Sequence, residues 1–489
     1  MDIIVKTKYG EVEGFREGGL IKWFGVPFAK PPIGELRFKR AVECEMWTGV
    51  KSCKTHGNRP IQFTKAPDTG ITESEACLYL SIWRPDTNEK KLPVFVWIYG
   101  GGFSYGECSD PLYDGSSFAR NDVIYIGINY RLGVLGFYDF TSYQNEIFDS
   151  NCGFSDQLTA LRWIKENIEV FGGDSNNITI AGESAGATSV CHMMASPHAN
   201  GLFNKAISQS ALPDCLHNKS SAKRNMDIFL NQMNMYKDEV IKLKHMDVSE
   251  MKAAAKYVLD NSCLIYPGIF QPGPVIDDLI PESSVSACEK GAAKDVKLII
   301  GTNHDEGSVF INMKWFPYNW KMAEKMLELN NCKHKITDLK KLYSECGDLS
   351  NQMNLLAKDR AFLIDAIKTA NGQSKHNDVW VYRFDYAPPY LKSRGLNAMH
   401  SVEIPIALNT ISGLWNGTEK EIEKRLRSEM HSAWISFAKY GNPENNHICK
   451  WKNYDEDKGT TLIFDEITYA LDNPEKENFN IWKNIELKF

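Results

Sequence analysis

Residues 178–190, ITIAGESAGATSV, constrain this chain more than any other stretch. Ile178 and Ile180 alternate as the end of a strand does, Gly182-Glu183-Ser184-Ala185-Gly186 turns the chain, and ATSVCHMMAS begins a helix. So tight a junction forces its central residue into a strained backbone conformation and admits only small neighbours, which Gly182, Ala185, Gly186 and Ala187 supply. Ser184 is thereby pushed out at the carboxyl end of a strand. Its hydroxyl sits at a helix N-terminus, where unpaired N–H groups favour developing negative charge. This is the geometry of a nucleophilic serine. The five-residue pattern is weak alone, and the chain carries it twice. The second copy, Gly102-Phe103-Ser104-Tyr105-Gly106, runs into ECSDPLYDGSS, which has no helical period, so Ser104 is read as a loop residue.

The rest of the chain supplies a sheet for this turn. Short β-like runs at 3–7, 11–15 and 20–25 precede Pro31 and Pro32, which exclude helix there, and CLYLSIWRP around Cys77 is a further strand. Buried strands are expected at 94–99, ending in Gly100-Gly101-Gly102, and at 122–129. Leu158, Leu161, Ile164 and Ile168 then follow helical spacing up to Gly172-Gly173. Strand, helix, strand, turn and helix make the rhythm of a parallel sheet, whose ligands collect at strand carboxyl ends. Strands return at 205–209, 296–301, 379–384 and 461–464, the last preceded by the helix EIEKRLRSEMHSAWISFAKYG. Polar, helix-like segments interrupt them over approximately 212–290 and 315–375. The reading is an α/β fold, one domain over 1–489, with a large, mostly parallel sheet flanked by helices and two helical insertions capping the site.

Composition narrows the partners. A net charge of −6 and a pI near 6.1 argue against nucleic acid or an anionic membrane, and no run reaches transmembrane length. No secretory leader is seen at the N-terminus, so the expected location is cytoplasmic, and the sequon at Asn416 carries little weight. The 12 cysteines show no metal-like spacing and are read as reduced packing residues. No cofactor or metal is expected, and the protein is expected to be a monomer or a weak homo-oligomer.

A nucleophilic serine needs a base, and the base an orienting acid. Two segments after expected strands qualify: VKLIIGTNHDEGSVF, with His304, Asp305 and Glu306, and NAMHSVEIPIA, with His400. The chain order serine, acid, histidine suits an α/β-hydrolase and makes His400 the base, with either Asp305 or Glu306 behind it. His304 is read as a surface or loop residue. The nine histidines besides these two, of 11 in all, are read as ordinary polar positions. The oxyanion formed on attack needs N–H donors, which Gly101, Gly102 and Ala185 are placed to give.

These residues stand within longer runs. GVPFAKPPIGELRF, CLYL, VWIYGGGF, NYRLGVLGF, GFSDQLTALRWIKENIEVFGGD, ITIAGESAG, NHDEGS, HSVEIP and FAKYGNP occur in order over nearly the whole chain. In them the chain resembles the type-B carboxylesterases, the group that includes cholinesterases and bacterial para-nitrobenzyl esterases. The resemblance implies an α/β-hydrolase fold and makes Glu306 the acid of a Ser184, Glu306, His400 triad. It supports Gly101, Gly102 and Ala185 as the oxyanion hole and places Glu403 as a buried glutamate behind the triad, a position also expected of Glu183. Departures from the family are informative. Pro60 stands where secreted members carry the cysteine that bridges to the CLYL cysteine, so Cys77 is expected to be a free thiol. Residues 60–77 lack the tryptophan with which cholinesterases bind quaternary ammonium, so choline esters are not the expected substrates. Ala211 and Leu212 replace the glycine that follows QS, so the floor of the acyl pocket is expected to differ. Phe103, Leu212, Phe270, Phe310 and Phe362 are the candidate pocket lining.

The expected function is a serine carboxylesterase acting on small to medium, apolar esters through an acyl-enzyme. A lipase or polyester hydrolase on the same triad, and a non-catalytic binding protein of the same fold, are the alternatives.

Overall fold

The structure is a computed structural model that describes residues 1–144, 146–410 and 420–487. The Asn416 sequon lies outside the described residues. Eleven strands form one sheet. Ile124–Ile128, Leu92–Ile98, Gly173–Glu183, Lys205–Gln209, Lys297–Asn303, Val379–Phe384 and Thr460–Phe464 lie side by side in that order, each parallel to the next. Antiparallel strands close both edges: Tyr79–Pro85, Leu20–Pro27 and Phe15–Glu17 on one side, Tyr469–Asp472 on the other.

Leu92–Ile98 and Ile124–Ile128 read as unbroken apolar runs because helices cover both of their faces, and Lys205–Gln209 is buried throughout although its sequence is mixed. Along Val379–Phe384, alternate residues show this directly. Trp380 and Tyr382 meet Phe437 and Trp434 of helix Glu421–Tyr440, while Arg383 points the other way and pairs with Glu475. Since the central strands run in one direction, their carboxyl ends share one edge of the sheet. Gly101, Ser184 and Glu306 each follow one of these ends within a few residues, and His400 lies on the longer connection after Val379–Phe384.

The segment 212–290 holds the helices Lys219–Gln232, Val248–Asp260, Ser262–Ile265 and Ser284–Glu289, and 315–375 holds Trp320–Leu329, Ile336–Tyr343, Leu349–Lys358 and Ile364–Ser374. The side chains of Leu212, Phe270, Phe310, Leu339, Met353, Phe362 and Trp482 form a buried cluster separate from that of the sheet.

Three local expectations need correction. The run expected at 11–15 is two strands, Glu11–Glu13 and Phe15–Glu17, in different sheets. They part at Gly14, where a Cβ would come within 2.3 Å of the Lys22 carbonyl oxygen. The run after Ser104 is not loop throughout, since Ser116–Arg120 is a short helix. The sheet does not end at 464 either. The chain turns back as Tyr469–Asp472, a strand with all its residues exposed and so without the alternation that reveals one, and finishes in helix Lys476–Trp482.

One buried ion pair locks a strand end to the helix before the nucleophile strand. Arg131 donates to Asp156 from Nη2 at 2.7 Å, from Nε at 2.8 Å and from its backbone N at 2.9 Å. The two side chains are 2% and 0% exposed, so neither charge has water as a substitute partner. Asp156→Asn leaves the guanidinium buried without a counter-ion and is expected to cost about 3–5 kcal/mol of stability. Denaturant unfolding of the variant measures this directly, and an unmoved midpoint would show that the pair carries none of it.

Candidate active site

Ser184 has φ 57° and ψ −123°, a conformation disfavoured for an L-residue with a side chain. Its surroundings enforce it. A Cβ at Gly182 would stand 2.6 Å from the backbone carbon of Gly186 and 2.7 Å from the Ile98 oxygen, and one at Gly186 only 1.9 Å from that oxygen. The neighbouring strand thus presses on the turn from below, and Ser184 N donates to the Gln209 oxygen at 2.9 Å from the other side. Helix Ala185–Ala195 starts immediately beyond, with Ser184 at its N-cap.

His400 Nε2 lies 2.8 Å from Ser184 Oγ, and His400 Nδ1 lies 2.5 Å from Glu306 Oε2. The other oxygen of Glu306 accepts from Asn303 N at 2.6 Å, which fixes the carboxylate. Asp305 is turned away, bonded to Asn354 through its side chain and to the Ala398 oxygen through its N–H. His304 is exposed, in the turn after the strand.

Glu183 is closer to the reacting groups than a supporting position behind them. Its Oε1 lies 3.2 Å from His400 Nε2 and accepts from Ser401 Oγ at 2.5 Å. Glu403 stands behind Glu306, accepting from Asn303 Nδ2 at 2.6 Å and from Gln209 Nε2 at 3.1 Å. Gln209 is itself oriented by Trp434 Nε1, at 2.9 Å. Burial pushes the Glu183 pKa up to about 8, against the pull of His400, and raises that of Glu403 as well. Burial alone would lower the pKa of His400, yet Glu183 and Glu306 raise it to about 9. The cluster therefore holds protons more tightly than its members do in water.

The amides of Gly101, Gly102 and Ala185 donate to no acceptor among the described residues. Both glycines have positive φ, 103° and 58°. A Cβ at Gly101 would strike the Tyr105 oxygen at 2.1 Å, and one at Gly102 the Phe270 ring at 2.6 Å. Phe270 stacks edge-on to Trp315 at 5.2 Å, while Phe310 and Phe362 lie 4.9 and 5.0 Å from the His400 ring. Leu212 belongs to the same cluster. Phe103 stands apart from these, its ring 4.4 Å from Phe137 in the core of the sheet. Ala211 packs on Ala187 and Cys191 of the nucleophile helix, and Cys77 is buried and unpaired.

This geometry has close relatives. A profile described as the carboxylesterase family matches residues 1–482. The para-nitrobenzyl esterase of Bacillus subtilis (strain 168) is 38% identical over 487 residues, which is 97% of each chain. The chain belongs to the carboxylesterase family. A rat relative, pyrethroid hydrolase Ces2e of Rattus norvegicus, is 32% identical over 93% of this chain and 85% of its own. A solved para-nitrobenzyl esterase structure superposes with a TM-score of 0.88 at 34% identity, covering 98% of this chain and all of that one. This carboxylesterase is thus an α/β-hydrolase and a carboxylic ester hydrolase with a small-molecule ester as its substrate. No helix among the described residues is long and apolar enough to cross a membrane, and no group of three or more His, Cys, Asp or Glu side chains among them could hold a metal ion.

Sequence reasoning missed the Gln209, Asn303, Trp434 and Ser401 supports, although Gln209 ends a strand beside the nucleophile strand and a polar residue there was a usable signal. It also misjudged several histidines. His192, His217 and His431 are 0%, 1% and 5% exposed, and burial lowers each pKa to about 4. They are neutral core groups with hydroxyl or carbonyl partners, not ordinary polar positions.

Because His400 and Glu183 share a contact, they titrate as a pair and the base form appears only when the pair gives up a proton. Activity of this carboxylesterase is expected to rise with pH, with a midpoint above the ordinary histidine value of about 6.5. Glu183→Gln removes a charge that holds the proton on His400, so the midpoint moves down by about one pH unit. A pH profile of kcat/KM for both proteins checks this, and identical midpoints would separate Glu183 from the titration.

Proposed function

We propose that this carboxylesterase hydrolyses small to medium, apolar carboxylic esters through an acyl-enzyme on Ser184, with His400 as base and Glu306 as its orienting acid. The observation that carries the reading is the 2.8 Å contact between His400 Nε2 and the oxygen of a serine held at positive φ. Neutral His400 takes the hydroxyl proton as Ser184 Oγ bonds to the ester carbonyl carbon. The carbonyl oxygen becomes an oxyanion in front of the Gly101, Gly102 and Ala185 amides, and Glu306 stabilises the imidazolium. Collapse breaks the bond to the alcohol oxygen, which leaves with the proton from His400. A water molecule then gives its proton to His400 and its oxygen to the acyl carbon, and Ser184 regains its proton as the acid departs.

The substrate class rests on the aromatic cluster around His400 and on the names of the relatives. Para-nitrobenzyl esterase brings an ester of an aromatic alcohol into the proposal. The absence of tryptophan from residues 60–77 removes the expected platform for choline. One domain with helical insertions at 212–290 and 315–375 forming its cap, a cytoplasmic location and a monomeric or weakly self-associating state belong to the same proposal. The unpaired state of all 12 cysteines fits a reducing compartment.

The test is a burst assay with p-nitrophenyl esters from acetate to laurate, on the wild type and on Ser184→Ala. A stoichiometric burst is expected in the wild type only, with turnover in the variant about 10⁴-fold lower or less. An optimum at short or medium chains supports the carboxylesterase reading, and one at laurate favours a lipase. Equal turnover by the two proteins would remove Ser184 from the mechanism.

A further inference from the structure

The strap 270–276, which lays the Phe270 ring against Gly102, one of the expected oxyanion donors, is held by a histidine outside both the triad and the expected pocket lining. His217 N donates to the Pro274 oxygen at 2.9 Å, and Ile276 N donates to the His217 oxygen at 2.8 Å. The ring reaches further. His217 Nε2 lies 3.1 Å from the Phe270 carbonyl oxygen and Nδ1 lies 3.1 Å from Ser221 Oγ.

Which nitrogen carries the proton follows from the partners. A carbonyl oxygen only accepts, so Nε2 bears the hydrogen. Burial lowers the pKa of the ring to about 4, so it is neutral and Nδ1 is bare, open to the Ser221 hydroxyl. Ser221, in the first turn of helix Lys219–Gln232, shares its single hydroxyl proton between bare Nδ1 and the Asn218 oxygen, also at 3.1 Å, and so supports the tautomer that the Phe270 carbonyl requires. The ring edge also occupies the space beside Gly273, where a Cβ would lie 3.3 Å from His217 Cδ2. The far end of the strap has its own tie, Asn151, which exchanges two hydrogen bonds with the Val275 backbone at 2.7 and 3.0 Å. At the end that touches the site the Phe270 oxygen has two partners, the weak Cys215 thiol donor at 3.9 Å and His217 at 3.1 Å, of which His217 is the stronger tie.

We propose that His217 is a positioning residue for the acyl pocket: by donating from Nε2 to the Phe270 carbonyl it holds the Phe270 ring against Gly102 and so sets the acyl-chain length that the site accepts. The inference rests on the acyl-enzyme reading above. Released from this bond, the strap lets the ring move off Gly102, which loosens the fit of an acetyl group and opens room for longer chains. The chemical groups at Ser184 and His400 stay where they are.

The test uses the full-length protein as His217→Asn and His217→Gln, with p-nitrophenyl acetate and octanoate and with rates counted per burst-titrated site. Asparagine keeps an acceptor for Ser221 but is too short for the Phe270 carbonyl, while glutamine places its amide nitrogen near the position of Nε2. For His217→Asn the octanoate-to-acetate ratio of kcat/KM is expected to rise roughly fivefold, through KM for acetate, with the burst stoichiometry intact. His217→Gln is expected to keep the wild-type ratio. An unchanged ratio in His217→Asn, or the same shift in both variants, overturns the proposal. Should His217→Asn not fold, Ser221→Ala must raise the ratio, and no rise there overturns it equally. Loss of the wild-type burst would instead refute the acyl-enzyme reading, so the two failures are distinguishable.

Discussion

The contact between the Ile98 carbonyl and the backbone of Gly182 and Gly186 governs most of what surrounds Ser184. Two parallel strands approach so closely at their carboxyl ends that no side chain fits between one strand's end and the other's turn. This closeness does two things together. It holds Ser184 at a positive φ that a freely solvated chain would abandon, and it brings the Gly100 to Gly102 loop, which follows Ile98, alongside the serine. A Cβ at Gly100 would lie 2.9 Å from Ser184 Cβ. The serine and two of its three expected oxyanion donors are therefore positioned by one packing constraint, and strain at the turn is offset by the burial of strand Leu92–Ile98 against the carboxyl-terminal half of Gly173–Glu183.

Electrostatics supply the second layer. Glu183, Glu306 and Glu403 converge near one imidazole in a region almost without water, where each carboxylate would be costly alone. Hydrogen bonds from Asn303, Gln209 and Ser401 meet part of that cost, and the protons retained by the cluster meet more. The arrangement differs from an isolated triad in that the charge on His400 is shared among several partners.

Much of this was legible in the residues and some was not. The turn around Ser184 declared itself because its physics demands small residues at fixed offsets. The strand Val379–Phe384 was bounded correctly because a buried parallel strand is a nearly continuous apolar run, and Lys205–Gln209, whose sequence KAISQ is mixed, was bounded correctly by its place in the strand–helix rhythm. Pattern alone left Asp305 and Glu306 open, since two adjacent carboxylates differ only in which way the chain turns them, and resemblance made the choice between them. The strand Tyr469–Asp472 escaped notice because an exposed edge strand has no buried face to leave a period. The buried histidines escaped because what made them core residues was a partner distant in sequence, such as Ser284 for His192 or Ser117 for His431.

The turn that carries Phe362 has a consequence in time. Asp359–Leu363 is a π-helical turn, which shifts the helical register by one residue and so decides that Phe362 faces His400. Its first residue, Asp359, is held by Tyr343 and by Asn478, and the adjoining Lys358 by Glu475. The serine thus leaves the ribosome well before Asn478 and Glu475, which help to secure the turn that sets Phe362 on its histidine. A growing chain therefore carries the nucleophile long before it can complete the surroundings of its base.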